Sequence, residues 1–118
     1  MAYKLGSQSR QTPYKVIKKK LGNGILGEAN NDGTIFIDKS IPNGSAKEKE
    51  VVAHEGKHMD DMASGKLAYG DDFIRYKGKT YHRQNGKINY NGKWIEEGSK
   101  EFPWEQEAYK VGNAAKKQ

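Results

Sequence analysis

An α+β fold is what this sequence predicts, and three observations carry it. Short apolar-alternating segments cluster in residues 24–38 and 72–96, an amphipathic helical stretch lies between them, and a second helical stretch opens at Pro103. The expected architecture is a small antiparallel or mixed sheet with two helices, built by a chain of 118 residues that is one domain's worth.

Residues 1–12 are polar, with Gly6, Ser7 and Ser9 ahead of Pro13, and are expected to form a flexible arm, leaving 13–118 as a single domain. Two strands follow, Gly24 to Ala29 and Thr34 to Asp38, joined by Asn30-Asn31-Asp32-Gly33 with its Asp-Gly turn signal. Pro42-Asn43-Gly44 makes a turn, and Ser45 with Glu48 forms a Ser-x-x-Glu capping box that starts a helix. That helix runs through Met62 and ends before Gly65, a residue suited to the left-handed cap position. At 100° per residue, Val51, Val52, Met59, Met62 and Ala63 share one face, with Lys49, Glu50, Lys57 and Asp60 opposite. Residues 72–96 form a second β region, in which Tyr76-Lys77-Gly78-Lys79 and Tyr90-Asn91-Gly92-Lys93 resemble hairpin turns flanked by Phe73, Ile74, Tyr81, Ile88, Trp94 and Ile95. Pro103 fits the first position of a C-terminal helix whose packed stripe is Trp104, Ala108, Val111 and Ala115.

Composition narrows the chemistry. The chain is 34% hydrophobic and 31% charged, so it builds one modest core. It contains no cysteine, which removes disulfides and thiolate metal sites; any metal site here has to use histidine, carboxylate and water. That donor set favours a catalytic site over a structural one. No segment approaches the ~20 apolar residues of a membrane span, and the N-terminus lacks the hydrophobic core of a signal peptide, so a soluble protein is expected. Net charge is +6. Much of the excess lies in Lys15, Lys18, Lys19 and Lys20 and in Lys116 and Lys117, runs that are usually solvated; without a helix-turn-helix or an RNA-binding signature, nucleic acid is a disfavoured partner.

Within the central helix stands His54-Glu55-Gly56-Lys57-His58, a His-Glu-x-x-His run. Such a run arises by chance in about a few chains per thousand of this length. Side chains four apart on a helix are neighbours, so His54 and His58 can share one tetrahedral Zn²⁺. Glu55 then stands beside the metal, where it can take a proton from a water whose pKa the ion has lowered to about 7. Asp61 lies on the same side as both histidines and can accept the N–H of one ligand imidazole. A zinc that keeps one open position needs a third protein ligand. The candidates are His82, Glu105 and Glu107, and helical periodicity places the two glutamates on opposite flanks of the Trp104/Ala108 stripe without choosing between them.

The segment Val51-Val52-Ala53-His54-Glu55-Gly56-Lys57-His58, after the strand Gly33-Thr34-Ile35-Phe36-Ile37 and before a helix carrying Glu-x-x-Ala, resembles the gluzincin branch of the zincin metallopeptidases. More narrowly, it is similar to short zincin-like proteins of tailed phages and some bacteria, several of which carry a comparable Pro-Trp-Glu segment. The resemblance covers about residues 24–115 and implies a minimal zincin-like domain. It maps the ligand glutamate to Glu105, three before Ala108, with Tyr109 standing where the family often has an acidic residue. It implies hydrolysis of a peptide or protein substrate, with Glu55 as base and Zn²⁺ held by His54, His58 and Glu105. Tyr81, His82, Arg75 and Tyr109 are the candidates for stabilising the oxyanion. If it edges the cleft, the strand Thr34 to Asp38 can pair with an extended substrate. The alternatives are a virion or tail component that keeps the fold for assembly or host entry, and a basic nucleic-acid-binding protein. The corresponding locations are cytoplasmic or virion-associated.

Overall fold

The computed structural model describes residues 14–117, so the expected arm at 1–12 lies outside the described residues. The chain is α+β, with eight strands and two helices among these residues. Strands β1 (Lys15–Lys19), β2 (Gly27–Ala29) and β3 (Thr34–Asp38) come first, followed by helix α1 (Ala46–Ala63). Strands β4 (Leu67–Gly70), β5 (Phe73–Tyr76), β6 (Lys79–Gln84), β7 (Lys87–Tyr90) and β8 (Lys93–Glu96) precede helix α2 (Pro103–Ala115).

The first sheet has the order β1-β3-β2, with β1 parallel and β2 antiparallel to β3. This corrects the expectation for Thr34 to Asp38: β3 is central, paired on both sides, and cannot receive a guest strand. The free edge beside α1 belongs to β2. The expected strand from Gly24 is also shorter, because Gly22, Asn23 and Gly24 all take positive φ and form a turn. Strand β1 carries no apolar alternation and was not foreseen; its lysines flank Val16 and Ile17 at a sheet edge, where charge discourages pairing with other chains. Nor are those lysines uniformly solvated. Lys18 Nζ donates to Ile41 O and pairs with Glu48, and Lys19 Nζ lies 4.3 Å over the Phe36 ring.

The second sheet is a five-stranded antiparallel meander, β4-β5-β6-β7-β8. Three of its hairpins turn through Lys77-Gly78, Asn85-Gly86 and Asn91-Gly92, each with positive φ at both residues, the geometry that matches strand twist. Sequence patterning located the first and third turns but not Asn85-Gly86 or strand β4.

Both helices form where their signals stand. Ser45 Oγ accepts from Glu48 N at 3.1 Å, while the Glu48 carboxylate accepts from Gly44 N at 2.8 Å, one residue earlier than a standard capping box. At the other end Gly65 takes φ +84, and Gly65 N and Lys66 N donate to Met62 O and Asp61 O, closing α1 with a Schellman motif. Ile35, Ile37, Ile41, Val51 and Met59 form one core between the first sheet and α1. Leu67, Tyr76, Ile88, Phe102 and Trp104 form a second between the meander and α2. Met62 packs against both, so the two cores meet beneath the C-terminal half of α1. No helix among the described residues is long and apolar enough to cross a membrane.

Candidate metal centre

Helix α1 buries Val51, Ala53 and Met59, and the same helical turns carry His54 and His58 toward α2. Helix α2 is anchored at its start by Phe102 and Trp104, whose rings stack 4.7 Å apart within 6° of parallel and are at most 1% exposed. That anchoring presents Glu105 in the first turn of α2, where the helix dipole favours a carboxylate. A glutamate at this third position often bonds back to the helix start. Here it does not: the Nε2–H of His54 and the Nε2–H of His58 both donate to Glu105 Oε1, at 2.9 and 3.0 Å.

His54, His58 and Glu105 therefore offer three ligand atoms within 4.8 Å of one another and can hold a metal ion. The donor set fits a borderline ion such as zinc. Metal–ligand bonds of ~2.0–2.1 Å in tetrahedral geometry separate the ligand atoms by about 3.3 Å. The two observed nitrogen–oxygen separations would widen by a few tenths of an ångström and the two imidazole nitrogens, within 4.8 Å of each other, would draw closer, with metal replacing the two Nε2 protons. Electrostatics hold the metal-free cluster together as a carboxylate between two imidazole donors, so a metal ion has to displace protons to bind. Burial raises the Glu105 carboxyl, but the two imidazole donors outweigh it and hold the group at about 2. Burial lowers His58, and the Glu105 carboxylate more than offsets that, leaving His58 above its ordinary value.

Glu55 is buried beside the cluster, and that burial pushes its carboxyl upward, partly countered by His58 and His54. Its side chain lies under β2: a Cβ built on Gly27 falls 2.9 Å from both Glu55 Cγ and Glu55 Oε2.

The other expected residues are placed elsewhere. Glu107 has a 43% exposed side chain and pairs with Lys57 and Lys66, because its flank of α2 faces those lysines and not the imidazoles. His82 is exposed on β6, paired in register with Phe73, and joins no metal cluster among the described residues. Asp61 is buried but accepts from Lys57 Nζ at 2.8 Å; it bonds neither histidine, and His58 Nδ1 and Asp61 Oδ2 are both buried without a hydrogen-bond partner. Tyr81 packs between Tyr90 and Trp104 in the second core, and Arg75 is exposed and stacks over Phe73. Tyr109 does reach the cluster, its ring meeting His54 edge-on at 4.5 Å, but its hydroxyl donates to Gly98 O. None of these four oxyanion candidates points a free donor at the site.

Two glycines that sequence reasoning passed over shape the centre. Gly112 is buried where α2 crosses α1, and a Cβ there would lie 2.8 Å from Glu50 O and 3.5 Å from His54 Cβ. Its spacing was a legible signal, since Glu105, Ala108 and Gly112 recur at three and four residues. Gly27 had no such signal. Compared with known proteins, the chain matches no family model, no curated protein and no solved structure.

Proposed function

We propose that the chain is a zinc-dependent peptidase of gluzincin type, which hydrolyses peptide bonds by an activated water. One observation carries this reading: His54, His58 and Glu105 converge from two helices on a single point, and the acid adjacent to His54 in sequence is buried beside them. A structural staple needs three or four ligands but no neighbouring base. Bound zinc supplies a Lewis acid, which lowers the pKa of a coordinated water and polarises a carbonyl.

The chain's own residues supply the rest. Glu105 holds both imidazoles in orientation through one oxygen before metal binds, and would then contribute the anionic ligand. Glu55, kept from bulk solvent and with its affinity for a proton raised, accepts the proton of the attacking water and returns it to the leaving nitrogen. An extended substrate is supported by the edge of the first sheet. Leu26 O and Asn30 N bond inward to Asp38 N and Thr34 O, so by alternation Gly27 and Ala29 turn their N–H and C=O groups to the free edge. Tyr69 Oη donates to Ala29 O, leaving Gly27 as the open pairing position above Glu55.

The test compares wild type and Glu55→Gln, each purified with zinc and assayed against a library of unstructured peptides. Wild type should carry about one zinc per chain. Glu55→Gln should keep the metal and the fold while hydrolysis falls by about 10²–10⁴-fold. Absence of metal from the wild type, or full activity in Glu55→Gln, would overturn the proposal; loss of zinc from the variant would make Glu55 a ligand.

A further inference from the structure

We infer that Gly27 is a positioning residue for Glu55, its missing side chain being the space that holds the carboxylate under β2. The inference rests on the reading of Glu55 as the base. Glycine is not needed at this position for backbone conformation, because Gly27 is absent from the residues with positive φ. It is needed for room. A Cβ would stand 2.7 Å from Val51 Cγ1, 2.9 Å from Glu55 Cγ and 2.9 Å from Glu55 Oε2, closer than real Cβ contacts come. Two of the three contacts are γ-carbons, Val51 Cγ1 and Glu55 Cγ, each two bonds from its helix and moved only by a change of χ1, so neither yields as a flexible tip would. Ala29, two residues on and on the same face of β2, packs against the first core, so the restriction to hydrogen belongs to the crossing over Glu55.

The three atoms nearest a Cβ at position 27 belong to Val51 and Glu55 and to none of the three ligands named above. A methyl group at 27 therefore has two outlets: β2 lifts from α1, or the Glu55 carboxylate leaves its place. The metal triad, closed from the α2 side by Glu105, stays assembled in either case.

The experiment uses full-length chain loaded with cobalt(II) in place of zinc. Gly27→Ala is expected to keep the wild-type metal-to-protein ratio, to lower the melting temperature, and to shift the visible cobalt absorption in the same direction as Glu55→Gln. Two double variants locate the clash. Gly27→Ala added to Glu55→Ala should cost less in melting temperature than Gly27→Ala alone, and Gly27→Ala added to Val51→Ala should recover the separate share owed to Val51 Cγ1. A loss rescued only by Val51→Ala, or an unshifted cobalt spectrum, would reduce position 27 to ordinary packing and overturn the inference. So would failure of both Gly27→Ala and Gly27→Ala/Glu55→Ala to fold, or loss of cobalt from Gly27→Ala while wild type retains it. A wild type that binds no cobalt would sink the peptidase reading instead, and the melting-temperature cycle would still decide whether Gly27 and Glu55 are coupled.

Discussion

At the scale of single residues, one oxygen organises the site. Glu105 Oε1 accepts from both imidazoles, so removing it takes away a ligand and leaves the buried His58 and the half-buried His54 without their shared acceptor. Glu105→Ala should weaken zinc binding by more than the 10- to 100-fold that loss of a supporting contact typically costs. Glu107→Ala and His82→Ala should leave affinity nearly unchanged, because Glu107 is held by two lysines and His82 stands exposed on another sheet. Competition against a chromophoric chelator measures all three. Equal losses for Glu105→Ala and Glu107→Ala would show that the ligand geometry is wrong. The role of Lys57 is also clear only at this scale. Burial works against its charge, yet Asp61 and Glu107 hold its pKa above the ordinary lysine value, so Lys57 is the partner both carboxylates have in place of the imidazoles.

The element that controls the site is the crossing of α1 and α2. Ala108 is fully buried and Gly112 touches the backbone of α1, so small residues set how closely Glu105 can approach the histidines. Replacing an interior helical glycine by alanine ordinarily stabilises a helix by up to about 1 kcal/mol. Gly112→Ala is expected to do the opposite. Its methyl meets a carbonyl oxygen at 2.8 Å, which has no rotamer to yield, and overpacking of this kind costs about 1–3 kcal/mol. Thermal melts should show the loss, and metal titration should show weaker binding as α2 is pushed outward. A more stable Gly112→Ala with wild-type affinity would mean that the helices have slack. Ala114 lies exposed on the same helix and is the control position for substitution.

For the whole molecule, a metal ion held by His54, His58 and Glu105 would be a fold-scale cross-link. The site joins a helix packed on the first sheet to one packed on the meander, adding to the α1–α2 crossing at Ala108 and Gly112 and to Met62, which packs against both cores. Zinc at a thousandfold excess over its dissociation constant adds about 4.1 kcal/mol. At roughly 4 °C per kcal/mol, the melting temperature should rise by about 16 °C and fall back on chelation. The gain depends on pH. The folded-state pKa of His58 is raised, so its pairing with Glu105 stabilises the metal-free protein below 6.5 and is lost as pH rises through the folded value. Glu105 is depressed to about 2, so its contribution is present above 4.5 and lost as pH falls toward that value. The metal-free chain is thus best served between those unfolded values, where zinc must compete with protons. Differential scanning calorimetry with and without zinc should show the increment large at pH 7.5 and small at pH 5.5. An increment that did not change with pH would place the ion on other ligands.

The sequence by itself determined the local features: the α+β class, the Ser45 start and Gly65 stop of α1, Pro103 at the head of α2, two of the hairpin turns, and His54 and His58 on one helix face. Each depends on neighbours within about four residues, whose chemistry is written in order along the chain. Tertiary structure decided what depends on packing between distant segments. It set Glu105 apart from Glu107, 47 residues beyond His58, by which flank of α2 meets α1. It made β3 central and β2 the edge, because the lysine-rich β1, without any periodic signal, paired in parallel with β3. It also drew Gly27 over Glu55 and Gly112 onto α1. Helical spacing marks Gly112 as lying on the face of Glu105 and Ala108, but Gly27 carries no pattern, and in both cases the reason for glycine is the atom across the gap, which belongs to another part of the chain.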